Sequence, residues 1–255
     1  MVKKIVLLLT AILLAIPNFI NADINETLPY DGREKFEESL ASLRTISSLE
    51  IYIDSIAKEH SVNIPSPQYL EIMEEVISTR FYHGFSHWKM NENWIAAIGQ
   101  RITGIGLACK VGANDILKNN NAACSQQALI TMAMLQRKGI EYRPVYFPHH
   151  YALEAQLGDR WYYLDANMEP EMELEDRMHR NWRSENEKLK RFFPHADSAQ
   201  LSYRFGNSEK ATLGPVNHKP AVKVRLFQNA TATISKLAWI IPLSLIFVRR
   251  KKPKK

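Results

Sequence analysis

Residues 124–165 read CSQQALITMAMLQRKGIEYRPVYFPHHYALEAQLGDRWYYLD, and the order of elements in this stretch decides the fold. Ala128, Leu129, Met132, Ala133 and Leu135 give a mostly apolar run, and Gly139 stands where a helix ends on a glycine cap. The pattern predicts a buried helix over about 124–138. Aromatic and β-branched content then predicts three strands, Tyr142 to Phe147, Tyr151 to Leu157 and Arg160 to Leu164. Gly158-Asp159 suits a two-residue hairpin turn between the last two. A helix followed by an antiparallel meander is an α+β pattern.

The same stretch places a thiol, an imidazole and a carboxylate. Cys124 opens the helix, where free N–H groups and the helix dipole favour a thiolate. If Gly158 and Asp159 form the turn, Leu157 pairs with Arg160 and Ala152 faces Asp165. His150 then lies two residues along on the same face, a diagonal of roughly 7–8 Å that a His–Asp hydrogen bond can span. His149 has the opposite parity and points to the other face. Cys124, His150 and Asp165 are therefore the candidate nucleophile, base and orienting acid.

Working outward, the N-terminal half reads as helical. Phe36, Leu40, Leu43, Ile46 and Leu49 to Ile51 recur at helical spacing. Ser66-Pro67-Gln68 is a cap followed by a first-turn proline, so a helix is expected through Tyr69 to about Arg80. Another is expected from Trp94 to about Ile105. Asn119-Asn120-Asn121 reads as a polar loop, Glu171 to Arg191 as a polar helix, and residues 194–230 carry little signal.

Taken together, residues 115–170 resemble the transglutaminase-like (papain-related) cysteine enzymes. Asp115-Ile116-Leu117 and Ala122-Ala123-Cys124-Ser125-Gln126-Gln127-Ala128 look like the approach to that family's nucleophile helix. Leu135 to Pro144, with Gly139-Ile140 and Arg143, looks like its helix-to-strand turn. His150, Glu154, Gly158, Trp161 and Leu164-Asp165 look like its His and Asp strands. Three positions depart from the common pattern: Ala122 stands for Gly, Ala152 for an aromatic and Ala166 for Pro. The resemblance implies that Cys124 attacks an amide or ester carbonyl, His150 moves the proton and Asp165 holds the imidazole. The acyl group would pass to water or to an amine, with the Cys124 N–H as one oxyanion donor. No metal or organic cofactor is implied.

Composition and charge bound the rest. The chain has 255 residues, 45% hydrophobic and 24% charged, as in an ordinary globular domain. Its net charge of +6 comes from the ends: Lys3 and Lys4, then Arg249, Arg250, Lys251, Lys252, Lys254 and Lys255, eight cations without which the remainder is slightly acidic. That distribution excludes the basic patch of a nucleic-acid binder. Lys3-Lys4, an apolar run from Ile5 to Ile16 and a small residue at Ala22 read as a signal peptide over 1–22, with an uncleaved anchor as the alternative. A second apolar run, Leu237 to Val248, precedes the basic tail in a stop-transfer pattern, the alternatives being an amphipathic helix docked on the domain and a processed sorting tail. The expected parts are a signal peptide, a helical region 23–105, a transglutaminase-like core 106–205, a linker 206–230 and a hydrophobic segment with basic tail 231–255. The chain is thus read as exported, on the periplasmic or cell-surface side, held to the membrane by its C-terminal segment.

Other residues compete for roles. Cys109 and Cys124, the two cysteines, would form one disulfide in many exported chains, against the thiolate reading of Cys124. His83 and His87 have a spacing that can bind metal, but no carboxylate accompanies them. Glu154 is either a partner of the His150 face or a solvated strand residue, and Trp161 and Tyr163 read as wall or core aromatics. The sequons Asn25-Glu26-Thr27 and Asn229-Ala230-Thr231 matter only in a glycosylating host. The expected function is a cysteine hydrolase or acyltransferase acting on protein or peptide substrates, a protease or amidase before a cross-linking enzyme. The alternative is a catalytically inactive binding or assembly module of the same fold at the cell surface.

Overall fold

The computed structural model describes residues 2–25, 29–30, 32, 34–167, 199, 203–204 and 212–247. Among them are helices α1 (Val2–Ala15), α2 (Ile46–Glu59), α3 (Pro67–Arg80), α4 (Met90–Thr103), α5 (Ala113–Ile116) and α6 (Cys124–Arg137). Strands β1 (Tyr142–Tyr146), β2 (Tyr151–Leu157), β3 (Arg160–Leu164) and β4 (Thr212–Leu213) come next, then α7 (Val222–Leu237) and α8 (Ile240–Phe247). The protein is α+β, with an antiparallel sheet in the order β3-β2-β1-β4. The polar helix expected over Glu171 to Arg191, the basic tail and residues Glu26 and Thr27 of the first sequon lie outside the described residues.

The chain folds as two compact units, and the division cuts across the boundaries expected from sequence. One unit comprises Leu28–Ser86 and Lys110–Pro220. Its core packs α2, α3 and α6 against the sheet through Leu49, Ile53, Leu70, Met73, Ile130 and Leu153, each buried. The helix expected across Phe36 to Ile51 is interrupted there. A 3₁₀ turn spans Glu38–Ser42, and α2 starts afresh because Thr45 caps it. The Thr45 hydroxyl accepts from Ser48 N–H at 3.0 Å, and Ser48 Oγ accepts from Thr45 N–H at 3.1 Å. The expected Ser66 cap is present, accepting from Tyr69 N–H at 3.2 Å ahead of Pro67. The β2–β3 register is the one read from the Gly158-Asp159 turn, with Leu157 opposite Arg160 and Leu153 opposite Leu164. Gly158 has φ +58°, the left-handed conformation that a turn of this kind requires.

The other unit comprises Met1–Thr27, His87–Cys109 and Ala221–Lys255. Its α4 is two pieces: Asn93 has non-helical φ −157°, ψ 75°, and its Oδ1 accepts from Ala96 N–H at 3.2 Å. The helix proper therefore starts at Trp94, as the sequence suggests, and ends on Gly104 at φ +71°. Asn93 also donates to Gln228 O and Thr231 Oγ1, at 3.1 and 3.0 Å, tying α4 to α7. The region expected to be a linker, 206–230, thus contributes strand β4 and half of α7 to packed structure. Its mixed polarity hid this: Gln228 and Thr231 are buried by partners more than a hundred residues away.

Candidate active site

The start of α6 is pinned from outside the helix. Ala123 occupies the N-cap without a capping side chain, and Gln126 substitutes by reaching back to Ala123 N–H at 3.3 Å. The same Gln126 accepts from Ser86 N–H at 2.8 Å and donates to the carbonyls of Ser86 and Lys110 at 2.9 and 2.8 Å. The Asn-rich segment ahead of it is not a free loop. Tyr82 N–H donates to Asn120 O, Ala122 N–H to Tyr82 O, and Asn121 Nδ2 to Phe85 O at 2.8 Å. Ser86 Oγ donates to Asn121 O. These bonds fix where the Cys124 thiol emerges.

The tight connection from β1 to β2, in which Phe147 N–H donates to His150 O at 3.0 Å, sets His150 just ahead of β2. Its Nε2 lies 2.6 Å from Asp165 Oδ2 across the hairpin. Its ring also interacts with the Cys124 thiol, which receives the Tyr151 N–H as well. The structure therefore brings Cys124, His150 and Asp165 together. The imidazole and carboxylate are covered, with side chains 0% and 1% exposed, while the thiol keeps partial exposure. His149 turns elsewhere: its ring stacks on Tyr203 at 3.8 Å and its N–H donates to Arg204 O.

The electrostatics follow from this packing. Burial alone would raise the Cys124 thiol, but the hydrogen bond and charge of His150, with the Tyr151 N–H, bring it below its ordinary value. Asp165 opposes that shift weakly. Burial would lower His150, yet the charge and hydrogen bond of Asp165 and the pairing with Cys124 raise it to about 9. Both shifts run toward a thiolate paired with an imidazolium.

Three further residues surround the site in ways their sequence context does not signal. Glu74, buried on α3, accepts the backbone N–H of Asp165. Tyr163, expected as a wall aromatic, donates its hydroxyl to Asp165 Oδ2 at 2.8 Å, and burial drives its own ionisation well upward. His83 belongs, among the described residues, to no group of three or more His, Cys, Asp and Glu side chains placed to hold a metal ion. Its Nδ1 lies 2.9 Å from Asn167 Nδ2, and burial, Arg204 and His150 hold it down to about 4. It is thus neutral, accepting from Asn167 at Nδ1 and carrying its proton on Nε2. Asn167 and Cys124 line the same pocket, together with Ala128, Tyr151 and Ala152. The β-hairpin alternation identified His150 and Asp165; no local pattern signals Glu74, 91 residues from its partner.

Glu154 is neither of the things expected of it. It is 3% exposed and ion-paired with Arg143 at 2.6 Å, and the Arg143 guanidinium stacks 4.1 Å from the Trp161 ring centroid. Both cysteines are free thiols, so no disulfide competes for Cys124. No family model, curated protein or solved structure matches this chain.

Proposed function

We propose that the chain is a transglutaminase-like cysteine hydrolase or acyltransferase that acts on protein or peptide amide bonds, exported and held at a membrane. The observation that carries this reading is a thiol at a helix start, interacting with an imidazole whose Nε2 is held by a buried carboxylate. Cys124 Sγ attacks the amide carbon, and the thiol proton resides on His150. The tetrahedral intermediate collapses as His150 gives that proton to the leaving amine, leaving a thioester on Cys124. Water then attacks the thioester while His150 takes its proton, and the acid leaves with the thiol restored; an amine in place of water gives transamidation. The Cys124 N–H, first in its helix and without an intrahelical partner, is one oxyanion donor.

The test is alkylation of the full chain by iodoacetamide from pH 4 to 9, with each cysteine followed by mass spectrometry. Rapid labelling of Cys124 well below the ordinary thiol value of about 8.5, lost in His150→Ala, is the expected result. Labelling of Cys124 that is slow at neutral pH and indifferent to His150→Ala would overturn it and leave a binding module.

A further inference from the structure

The N-terminal apolar segment is built into the protein rather than appended to it. α1 and the 3₁₀ turn Ile16–Phe19 form an 18-residue apolar rod. At 1.5 Å per residue this is about 27 Å, close to the roughly 30 Å hydrocarbon thickness of a bilayer. Its outer side chains face solvent, Val6, Leu9, Leu13 and Phe19 being 54%, 59%, 69% and 85% exposed. Its last turn and the residues that follow are fixed: Asn18 Nδ2 donates to Ser235 O at 3.0 Å and Met90 N–H to Ala22 O at 2.9 Å. Asp23, the first residue beyond the cleavage point read from the sequence, places Oδ2 3.4 Å from His87 Nδ1.

A second apolar leg runs beside the first. α7 and α8, bent by 42° at their junction, together pass for a broken span, and α8 packs on α1. Because Asn18 meets Ser235 while α1 leads back and α8 leads on from that contact, the two legs are antiparallel. Lys3 and Lys4 then lie at the same end as the point where the sequence enters its Arg249–Lys255 run. The hydroxyls within the legs are satisfied internally, Thr10 on Val6 O at 2.9 Å and Ser244 on Ile241 O at 2.9 Å, as an apolar solvent demands. At the other end two indoles sit where amphipathic rings mark a membrane interface. Trp94 donates to Ser235 O and Trp239 to Lys236 O.

We propose that residues 2–19 remain on the mature chain and pair with the C-terminal apolar segment as an antiparallel transmembrane hairpin, lipid acyl chains covering its exposed faces. Both basic ends lie on the cytoplasmic side, and the body between them lies on the opposite side. Cleavage after Ala22 would free the carbonyl that holds Met90 and create an ammonium group on Asp23 beside His87. This topology is independent of whether Cys124 is a catalytic nucleophile.

The experiment is to make the full chain in a bacterial host and measure its intact mass from isolated membranes. A mass that includes residues 1–22 supports the hairpin; a chain beginning at Asp23 overturns it. A second variant, ended after Lys236, removes α8, the more apolar part of the second leg. Its persistence in the membrane pellet through an alkaline carbonate wash shows that the N-terminal leg anchors by itself, and its release overturns the proposal. Protease added outside spheroplasts should remove the body yet spare a tag at the C-terminus. A tag digested as readily as the body would reverse the assigned orientation and sink the proposal.

Discussion

Each of the two units holds one cysteine, one histidine and one aspartate in contact, and only one of the sets resembles a catalytic site. In the first, Cys124 opens a 14-residue helix, receives a backbone N–H and faces a His150 that Asp165 grips from behind. In the second, Cys109 has no helix behind it; its thiol lies 3.7 Å from Gln100 Oε1, and His87 lies between Asp23 and that thiol. His87 is raised to about 9: burial would lower it, but Asp23 and Cys109 outweigh that. The residue types are equal, so the chemistry is decided by what the scaffold adds. A helix N-terminus under one thiol, and a strand that aims the imidazole at it, separate the candidate nucleophile from a Cys–His–Asp contact without that support.

The largest test of this contrast removes each thiol in turn. Cys124→Ser should cost amide-hydrolysing activity by about 10³-fold or more, whereas Cys109→Ser should leave it within about twofold. Equal losses from both would break the comparison. Asp165→Asn comes next, with an expected fall of roughly 10²–10⁴-fold in kcat/KM. Its sign in pH is fixed: loss of the carboxylate lowers the proton affinity of His150, so the alkaline limb of the activity profile moves to lower pH. An unmoved alkaline limb would mean that His150 is not the group titrating there.

Arg143→Ala probes scaffold rather than site. It leaves Glu154 buried without its cation and should destabilise the chain by about 3 kcal/mol, read as a fall in Tm. Cys124 labelling below the melting transition should persist. Tyr163→Phe should lower kcat by about tenfold without a matching change in KM, because it deletes one neutral donor to Asp165 Oδ2. The smallest effect belongs to the second set. A histidine whose folded value is raised stabilises the fold fully below its unfolded value of about 6.5, and that contribution fades as pH rises through about 9. His87→Gln should flatten the Tm profile over that window and leave Cys124 reactivity unchanged.

What the sequence revealed of this contrast was local. A two-residue turn at Gly158-Asp159 sets register, register sets faces, and faces place His150 against Asp165. The start of α6 was readable for the same reason, being signalled within a few residues of Cys124. The clamps around the site were not. Glu74 on Asp165, Ser86 on Gln126 and Asn167 on His83 join positions 40 to 91 residues apart, and nothing in their immediate neighbours distinguishes them from solvated polar residues. The break at Leu43 is hidden because apolar spacing continues across it, and only the Thr45–Ser48 pair marks the new helix.

The bond between Asn18 and Ser235 spans 217 residues, a separation that biosynthesis turns into time. At about 5–20 residues per second, a ribosome needs on the order of 10–40 s to deliver the second partner after the first. Throughout that interval the unit carrying Cys124, whose residues all lie between the two, has time to assemble, while the first apolar helix has no mate. The unit holding both ends of the chain is therefore completed last, and until then the nascent helix carries its apolar face without the partner it packs on.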